Sequence, residues 1–106
     1  MSEHRADELV QARRFLLSAP GPAVTNEVEA LRLLAQIEGE ADERLTLALE
    51  GTSPAPDEFA GYRRRRAYVW ARLAQLRPEF EQTAADAVRR WQEADVIRAA
   101  VEEAAR

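Results

Sequence analysis

Apolar residues recur along this chain with the spacing of helices rather than strands. The clearest stripe lies in a predicted helix that begins at Thr25 or Asn26 and ends at Gly51. Its apolar positions are Ala30, Leu31, Leu34, Ile37, Ala41, Leu45, Ala48 and Leu49. Asn26 and Glu29 have the spacing of a capping box, and Gly51 suits the position after a helix end. The pattern predicts one long amphipathic helix here.

A shorter helix precedes it and two apolar seams follow it. The first helix is predicted from about Ser2 or Glu3 to Ser18, and two loops rich in proline and glycine, Ala19–Pro22 and Gly51–Pro56, flank the second helix. After Asp57 the spacing alternates between three and four residues, as in heptads. The third segment carries Phe59, Tyr62, Arg66, Val69, Leu73 and Leu76, and the last carries Phe80, Ala84, Ala87, Trp91, Ala94, Arg98, Val101 and Ala105.

Pro78 separates these last two segments and leaves two arrangements open. It suits the first turn of a new helix, and the residue before a proline is pushed out of the α region. A helical hairpin, however, usually has a connection of about two to five residues. The chain therefore either turns a sharp corner at Pro78 or continues as one long kinked helix.

These segments together predict an all-α fold, a small bundle of three to four helices in one domain over residues 1–106. The composition agrees, because 46% of the residues are hydrophobic and 32% are charged. We expect eight stripe residues to be largely buried: Leu34, Ile37, Ala41, Leu45, Leu73, Leu76, Phe80 and Trp91.

Composition also removes several kinds of chemistry. All 15 cationic residues are arginines and there is no cysteine, which excludes lysine Schiff bases, thiolate nucleophiles and zinc sites that need cysteine. The formal net charge of −4 gives no general affinity for nucleic acid. The N-terminus lacks the apolar core of a signal peptide, and no apolar run approaches the roughly 18 residues of a membrane span. We therefore expect a cytoplasmic protein.

No catalytic or metal-binding constellation stands out. Glu40 and Glu43 have a spacing seen in helical metal sites, but they face away from the stripe, and the single histidine, His4, lies at the terminus. Ser2, Ser18 and Ser53 lie at helix ends or in loops, where capping explains them. We expect no catalytic residue, no metal and no cofactor.

The run from Arg63 to Arg66 is the most conspicuous charge feature, and it has two interpretations. Arg64, Arg65 and the nearby Arg72 point away from the seam and form a candidate phosphate or nucleic-acid contact. Residues 26–58, however, hold nine acids against two arginines, whereas residues 59–78 hold no acid. We favour an acidic helix packed beside a basic one, with nucleic-acid contact as the alternative.

Four charges intrude on the apolar stripes: Arg13, Glu38, Arg66 and Arg98. A buried charge is costly unless it is paired. Glu38 is the only acid in the middle of a stripe. We therefore predict that Glu38 pairs with Arg13 or Arg66 across helices and fixes their register.

With no catalytic or metal-binding constellation in the sequence, we expect a protein–protein interaction module, such as an adaptor, regulator or assembly subunit. If residues 57–105 formed one helix of about 70 Å, the first two helices would be too short to cover its seam. We therefore expect a homodimer through the last two segments, which would bury the exposed strip. A corner at Pro78 is the alternative, and it would close a four-helix bundle without a dimer. The predicted contact residues are Tyr62, Arg64, Arg65, Val69, Arg72, Trp91 and Arg98. A nucleic-acid-associated protein and, more remotely, a metal-dependent helical enzyme remain alternatives.

Overall fold

The protein consists of α-helices joined by short connections. The computed structural model describes the backbone of residues 2–18, 24–51 and 56–106, and the side chains of residues 8–18, 24–51 and 57–106. The helices are α1 (Ser2–Ser18), α2 (Glu27–Leu49), α3 (Pro56–Leu76) and α4 (Glu81–Ala104), and no strand occurs in the described ranges. The predicted all-α fold is confirmed. Residues 19–22 and 52–55 of the two predicted loops fall outside the described part.

The start of α2 follows from its capping residues. The side-chain oxygen of Asn26 accepts a hydrogen bond from the backbone N–H of Glu29 at 2.9 Å. The Glu29 carboxylate accepts from the backbone N–H and the hydroxyl of Thr25, at 3.0 and 2.8 Å, so the box closes one residue earlier than its usual form. These bonds lower the pKa of Glu29. At the other end, Gly51 has the positive φ of 100° that follows many helix ends.

Pro78 turns the chain through a sharp corner. Arg77 is extended, and Pro78 opens a single 3-10 turn, Pro78–Phe80, that leads directly into α4. The most extensive contact between helices in the molecule is that of α3 with α4, as expected for a hairpin. The longest dimension of the fold is 40 Å, well short of the roughly 70 Å of a continuous helix over residues 57–105. The alternative of one long kinked helix is therefore wrong.

Alanines line the contact between α3 and α4. Ala60, Ala67, Ala71 and Ala74 of α3 are at most 4% exposed. The buried face of α4, the helix that has the most extensive contact with α3, carries Ala84, Ala87, Val88, Trp91 and Ala94. Small side chains at a helix crossing allow the two backbones to approach closely. We call this contact the alanine seam.

The central helix of the fold is α3, because α1, α2 and α4 all pack against it. The core contains Leu16 from α1, Ala30, Leu34 and Ile37 from α2, and Val69 and Leu73 from α3. Besides α3, α1 also contacts α4, whereas α2 packs against α3 alone among the described helices.

The burial predictions are correct for the centre of the fold but fail in the second half of α2 and at the end of α3. Leu34, Ile37, Leu73 and Trp91 are buried, as predicted, and Ala41 and Phe80 are half-buried. The predictions for Leu45 and Leu76 are wrong, since these side chains are 61% and 42% exposed. Leu76 lies at the last residue of α3, just before the corner. Leu45 lies in the second half of α2, where none of residues 40–49 is buried.

Candidate protein-interaction surface

An open groove separates the second half of α2 from the first turns of α3. Its volume is about 740 Å³. We call residues 27–39 the proximal half of α2, residues 40–49 the distal half, and this cleft the distal groove. Its apolar lining consists of Ala41, Leu45, Leu47, Ala48, Phe59 and Tyr62. None of residues 40–49 is buried, so the distal half of α2 leaves its side of the cleft uncovered.

Large apolar side chains at this end of the molecule remain in contact with solvent. Leu45 is 61% exposed, Leu49 is 82% exposed, and Phe59 is 41% exposed. Leu47 lies outside the apolar stripe of α2 and is also exposed. Single exposed leucines are common on protein surfaces, but a group of them beside a cleft is typical of a binding surface.

A ladder of ion pairs joins α2 to α3 and to Arg77, the residue that follows α3 at the corner. From the corner towards the distal groove, the nitrogen-to-oxygen distances are 2.8 Å for Arg77–Glu27, 3.0 Å for Arg66–Glu38, 2.6 Å for Arg65–Glu40 and 3.4 Å for Arg44–Glu58. An acidic helix therefore packs beside a basic one, as we favoured from the charge distribution. Each pair is partly exposed, so the ladder contributes more to register than to stability.

Glu38 meets Arg66 in the middle of this ladder. The Arg66 guanidinium donates to Glu38 at 3.0 Å, and the Tyr62 hydroxyl lies 3.3 Å from both carboxylate oxygens. Burial raises the pKa of the Tyr62 hydroxyl, and the negative charge of Glu38 raises it further. The Glu38 side chain is 52% exposed, so the pair lies at the edge of the core rather than inside it.

Arg13 has a different partner. Its two terminal nitrogens contact the two carboxylate oxygens of Glu81 at 2.5 and 3.2 Å, and one of them also donates to the carbonyl of Ala71 at 3.4 Å. The hydrogen bond from Arg13 lowers the pKa of Glu81. Arg13 thus fastens α1 to the α3–α4 hairpin and takes no part in the pairing of Glu38.

Every arginine of the run from Arg63 to Arg66 has a partner within the chain. Arg63 lies over the rings of Phe59 and Tyr62, at 5.1 and 5.4 Å from their centres. Arg64 lies 5.7 Å from the centre of the Phe15 ring. Arg65 and Arg66 bind the two α2 acids described above. The run is distributed around α3, so it forms no concentrated basic patch.

The remaining predicted contact residues serve the fold of the single chain. Val69 and Trp91 are 1% and 8% exposed, so they belong to the core and not to an accessible surface. Arg72 is half-buried and donates to the carbonyl of Leu17, at the end of α1, at 3.1 Å. Arg98 pairs within α4, with Asp95 and Glu102, both at 2.9 Å. The strip that suggested a dimer through the last two segments is largely buried by the hairpin.

Among the side chains that the structure describes, the polar groups considered for catalysis are not assembled into a site. Glu40 is occupied by Arg65, and no group of three histidine or acidic side chains comes together within the described ranges. The Ser18 hydroxyl donates to the carbonyl of Phe15 at 2.8 Å, as a helix-end serine does. The side chains of Ser2, His4 and Ser53 lie outside the described residues.

Comparison with protein families, with curated proteins and with solved structures gives no match to this chain. None of the described helices has an apolar stretch long enough to cross a membrane. The fold and the distal groove therefore define the molecule as an all-α protein with an uncovered apolar cleft between two oppositely charged helices.

Proposed function

We propose that this protein is a non-enzymatic interaction module that binds another protein chain, a second copy of itself, through the distal groove. The observation that carries the proposal is the uncovered distal half of α2, whose apolar residues border a cleft instead of a neighbouring helix. A module of this kind would serve as an adaptor, a regulator or a subunit of an assembly.

The groove suits a helical occupant. Two helices form its walls, and an amphipathic helix places apolar residues into such a cleft at intervals of three and four. Leu45 and Leu49 have this spacing on α2 itself, and both are exposed. Burying a leucine or phenylalanine side chain contributes about 1.5–3 kcal/mol before the costs of association. Because only a few such side chains are available, we expect association that depends on concentration.

Light scattering coupled to size exclusion, at several protein concentrations, tests the proposal. We expect the mean mass to rise with concentration towards twice that of the monomer. Leu45→Glu should abolish this rise, because it places a charge on the apolar lining of the groove. Leu31→Glu is the matched control, since Leu31 is a half-exposed leucine of α2 outside the groove. A wild-type monomer at every concentration would overturn the proposal.

The alternative of nucleic-acid binding has less support, because Arg65 and Arg66 pair with acids of the same chain and the run forms no concentrated basic patch around α3. The metal-dependent alternative rests on Glu40 and Glu43, of which the first is bound to Arg65. Neither alternative has an observation in its favour that matches the open groove.

A further inference from the structure

We propose that two copies pair about a two-fold axis, with Glu43 on α2 of each copy facing Arg63 on α3 of the other. This inference rests on the proposed function, because it specifies how the second copy occupies the distal groove. It assigns the specificity of pairing to one acid and one arginine at the edges of the cleft.

The charges around the groove single out these two residues. Its rim carries three acids and three arginines: Glu40, Glu43, Glu58, Arg44, Arg63 and Arg65. Four of them are already joined within the chain, as Arg65–Glu40 and Arg44–Glu58. Among the described side chains, Glu43 makes no ion pair and Arg63 contacts no carboxylate. One uncompensated charge of each sign is therefore left on the rim.

Arg63 is also held in place before any partner arrives. Its guanidinium lies over Phe59 and Tyr62, two residues that line the groove. Cation–π contacts of this kind restrict the side chain without neutralising its charge. A side chain that is already ordered loses less conformational entropy when it forms an ion pair.

The two charges stand on different helices, and this placement points to a second copy as the occupant. In a two-fold interface, residue i of one copy contacts residue j of the other, and j contacts i. One such axis would place Glu43 on α2 of each copy against Arg63 on α3 of the other. The dimer would then contain two such ion pairs. A polyanion would be attracted to Arg63 but repelled by the carboxylates of α2. The charge distribution of the groove therefore does not favour a polyanion as the occupant.

The apolar residues fit the same arrangement. Leu49 is the most exposed large apolar side chain among those described, at 82%, and it lies one turn from Leu45. When the distal half of α2 lies along the partner's groove, these leucines leave water together with Phe59. The apolar contact then supplies most of the affinity, and the Glu43–Arg63 pairs select the orientation.

Charge reversal with complementation tests the pairing. In a homodimer of Glu43→Arg, each of the two symmetric contacts brings two arginines together. In a homodimer of Arg63→Glu, each contact brings two acids together. We expect each variant to dimerise at least about tenfold more weakly than the wild type. An equimolar mixture of the two should restore a heterodimer of near wild-type affinity, because both contacts then join opposite charges. Sedimentation velocity with one variant fluorescently labelled measures the heterodimer directly.

Arg90→Glu and Glu103→Arg provide the matched controls. Both residues are exposed on α4 outside the groove, and the substitutions change the net charge by the same amounts. Neither variant should weaken the dimer about tenfold, and circular dichroism should show all four variants equally helical. Restoration in the mixture also shows that the groove variants are folded.

The outcomes separate this inference from the proposed function. A wild-type protein that stays monomeric overturns both. A wild-type dimer that either groove variant leaves unchanged overturns only the Glu43–Arg63 pairing. Weakened variants that do not recover on mixing also overturn it, because the two-fold arrangement requires recovery.

Discussion

The two halves of α2 continue the same apolar stripe but have opposite surroundings. In the proximal half, Ala30, Leu34 and Ile37 are at most 7% exposed. In the distal half, the next positions of the stripe are Ala41, Leu45 and Ala48, and none of them is buried. The amino-acid pattern barely changes between the halves, whereas only the proximal half contains buried residues.

The difference teaches that a periodic stripe identifies the apolar face of a helix but not its neighbour. The core cluster joins the proximal stripe to Leu16 of α1 and to Tyr68 and Leu73 of α3. The distal stripe continues beyond this cluster and borders only the first turns of α3. A stripe that extends beyond the core leaves apolar residues exposed to solvent, and exposed apolar surface of this kind often marks an interaction site.

The largest expected effect compares one leucine from each half. Leu34→Ala should lower the free energy of unfolding by about 2–5 kcal/mol, because it leaves a cavity in the core. Leu45→Ala should cost less than about 1 kcal/mol, because the side chain is already exposed. Urea unfolding of dilute protein, where any dimer dissociates, measures both. Equal losses would contradict the division of α2 into a buried and an open half.

A smaller effect concerns the two acids at the boundary between the halves. Glu38→Gln should destabilise the protein by up to about 1 kcal/mol, because the Arg66 side chain it leaves is only 22% exposed. Glu40→Gln should cost less, because Arg65 is 53% exposed and remains solvated. The same unfolding measurement distinguishes them. A larger loss at Glu40 would mean that the distal part of the ladder is the stronger one.

The smallest expected effect concerns Glu81, which forms an ion pair with Arg13 of α1, and this effect depends on pH. Because Arg13 lowers the pKa of Glu81 in the folded state, the pair stabilises the fold above the ordinary carboxyl pKa of 4.5. That stability is lost as the pH falls through the lowered folded value. The carboxylate is half exposed, so we expect a loss of a few tenths of a kcal/mol.

Glu81→Gln is the variant that isolates this contribution. It should be slightly less stable than the wild type at neutral pH and should lose less stability on acidification below about pH 4. Thermal unfolding across that range gives the comparison. Parallel curves for the two proteins would show that Glu81 does not couple α1 to the hairpin.

Local signals in the sequence predicted the helices well. Asn26 and Glu29 located the start of α2, and Pro78 marked the boundary between the last two segments, although the sequence left a corner and a kinked helix equally open there. The distribution of acids and arginines predicted that α2 lies beside α3. These features act within a few residues or through simple charge attraction, so no knowledge of the tertiary fold was needed.

Predictions that depended on tertiary packing were less successful. The predicted seam of α3 included Phe59 and Leu76, which are exposed, and omitted Ala67 and Ala71, which are fully buried. A periodic apolar pattern is recognised mainly from its large side chains, and alanines contribute little to it. Closely packed helix pairs nevertheless depend on alanine. The distal groove was not predicted for a related reason, since its existence depends on which part of α2 the core reaches.

The alanine seam changes what holds the hairpin together. Alanine has no rotamers to lose, so ordering Ala67, Ala71, Ala84 and Ala87 costs no side-chain entropy on folding. At these positions the fit of the two helices depends on backbone shape, because an alanine side chain has no other rotamer that could relieve a clash. A single added methylene at Ala71, which is fully buried, would have to be accommodated by shifts of the backbone or of neighbouring side chains.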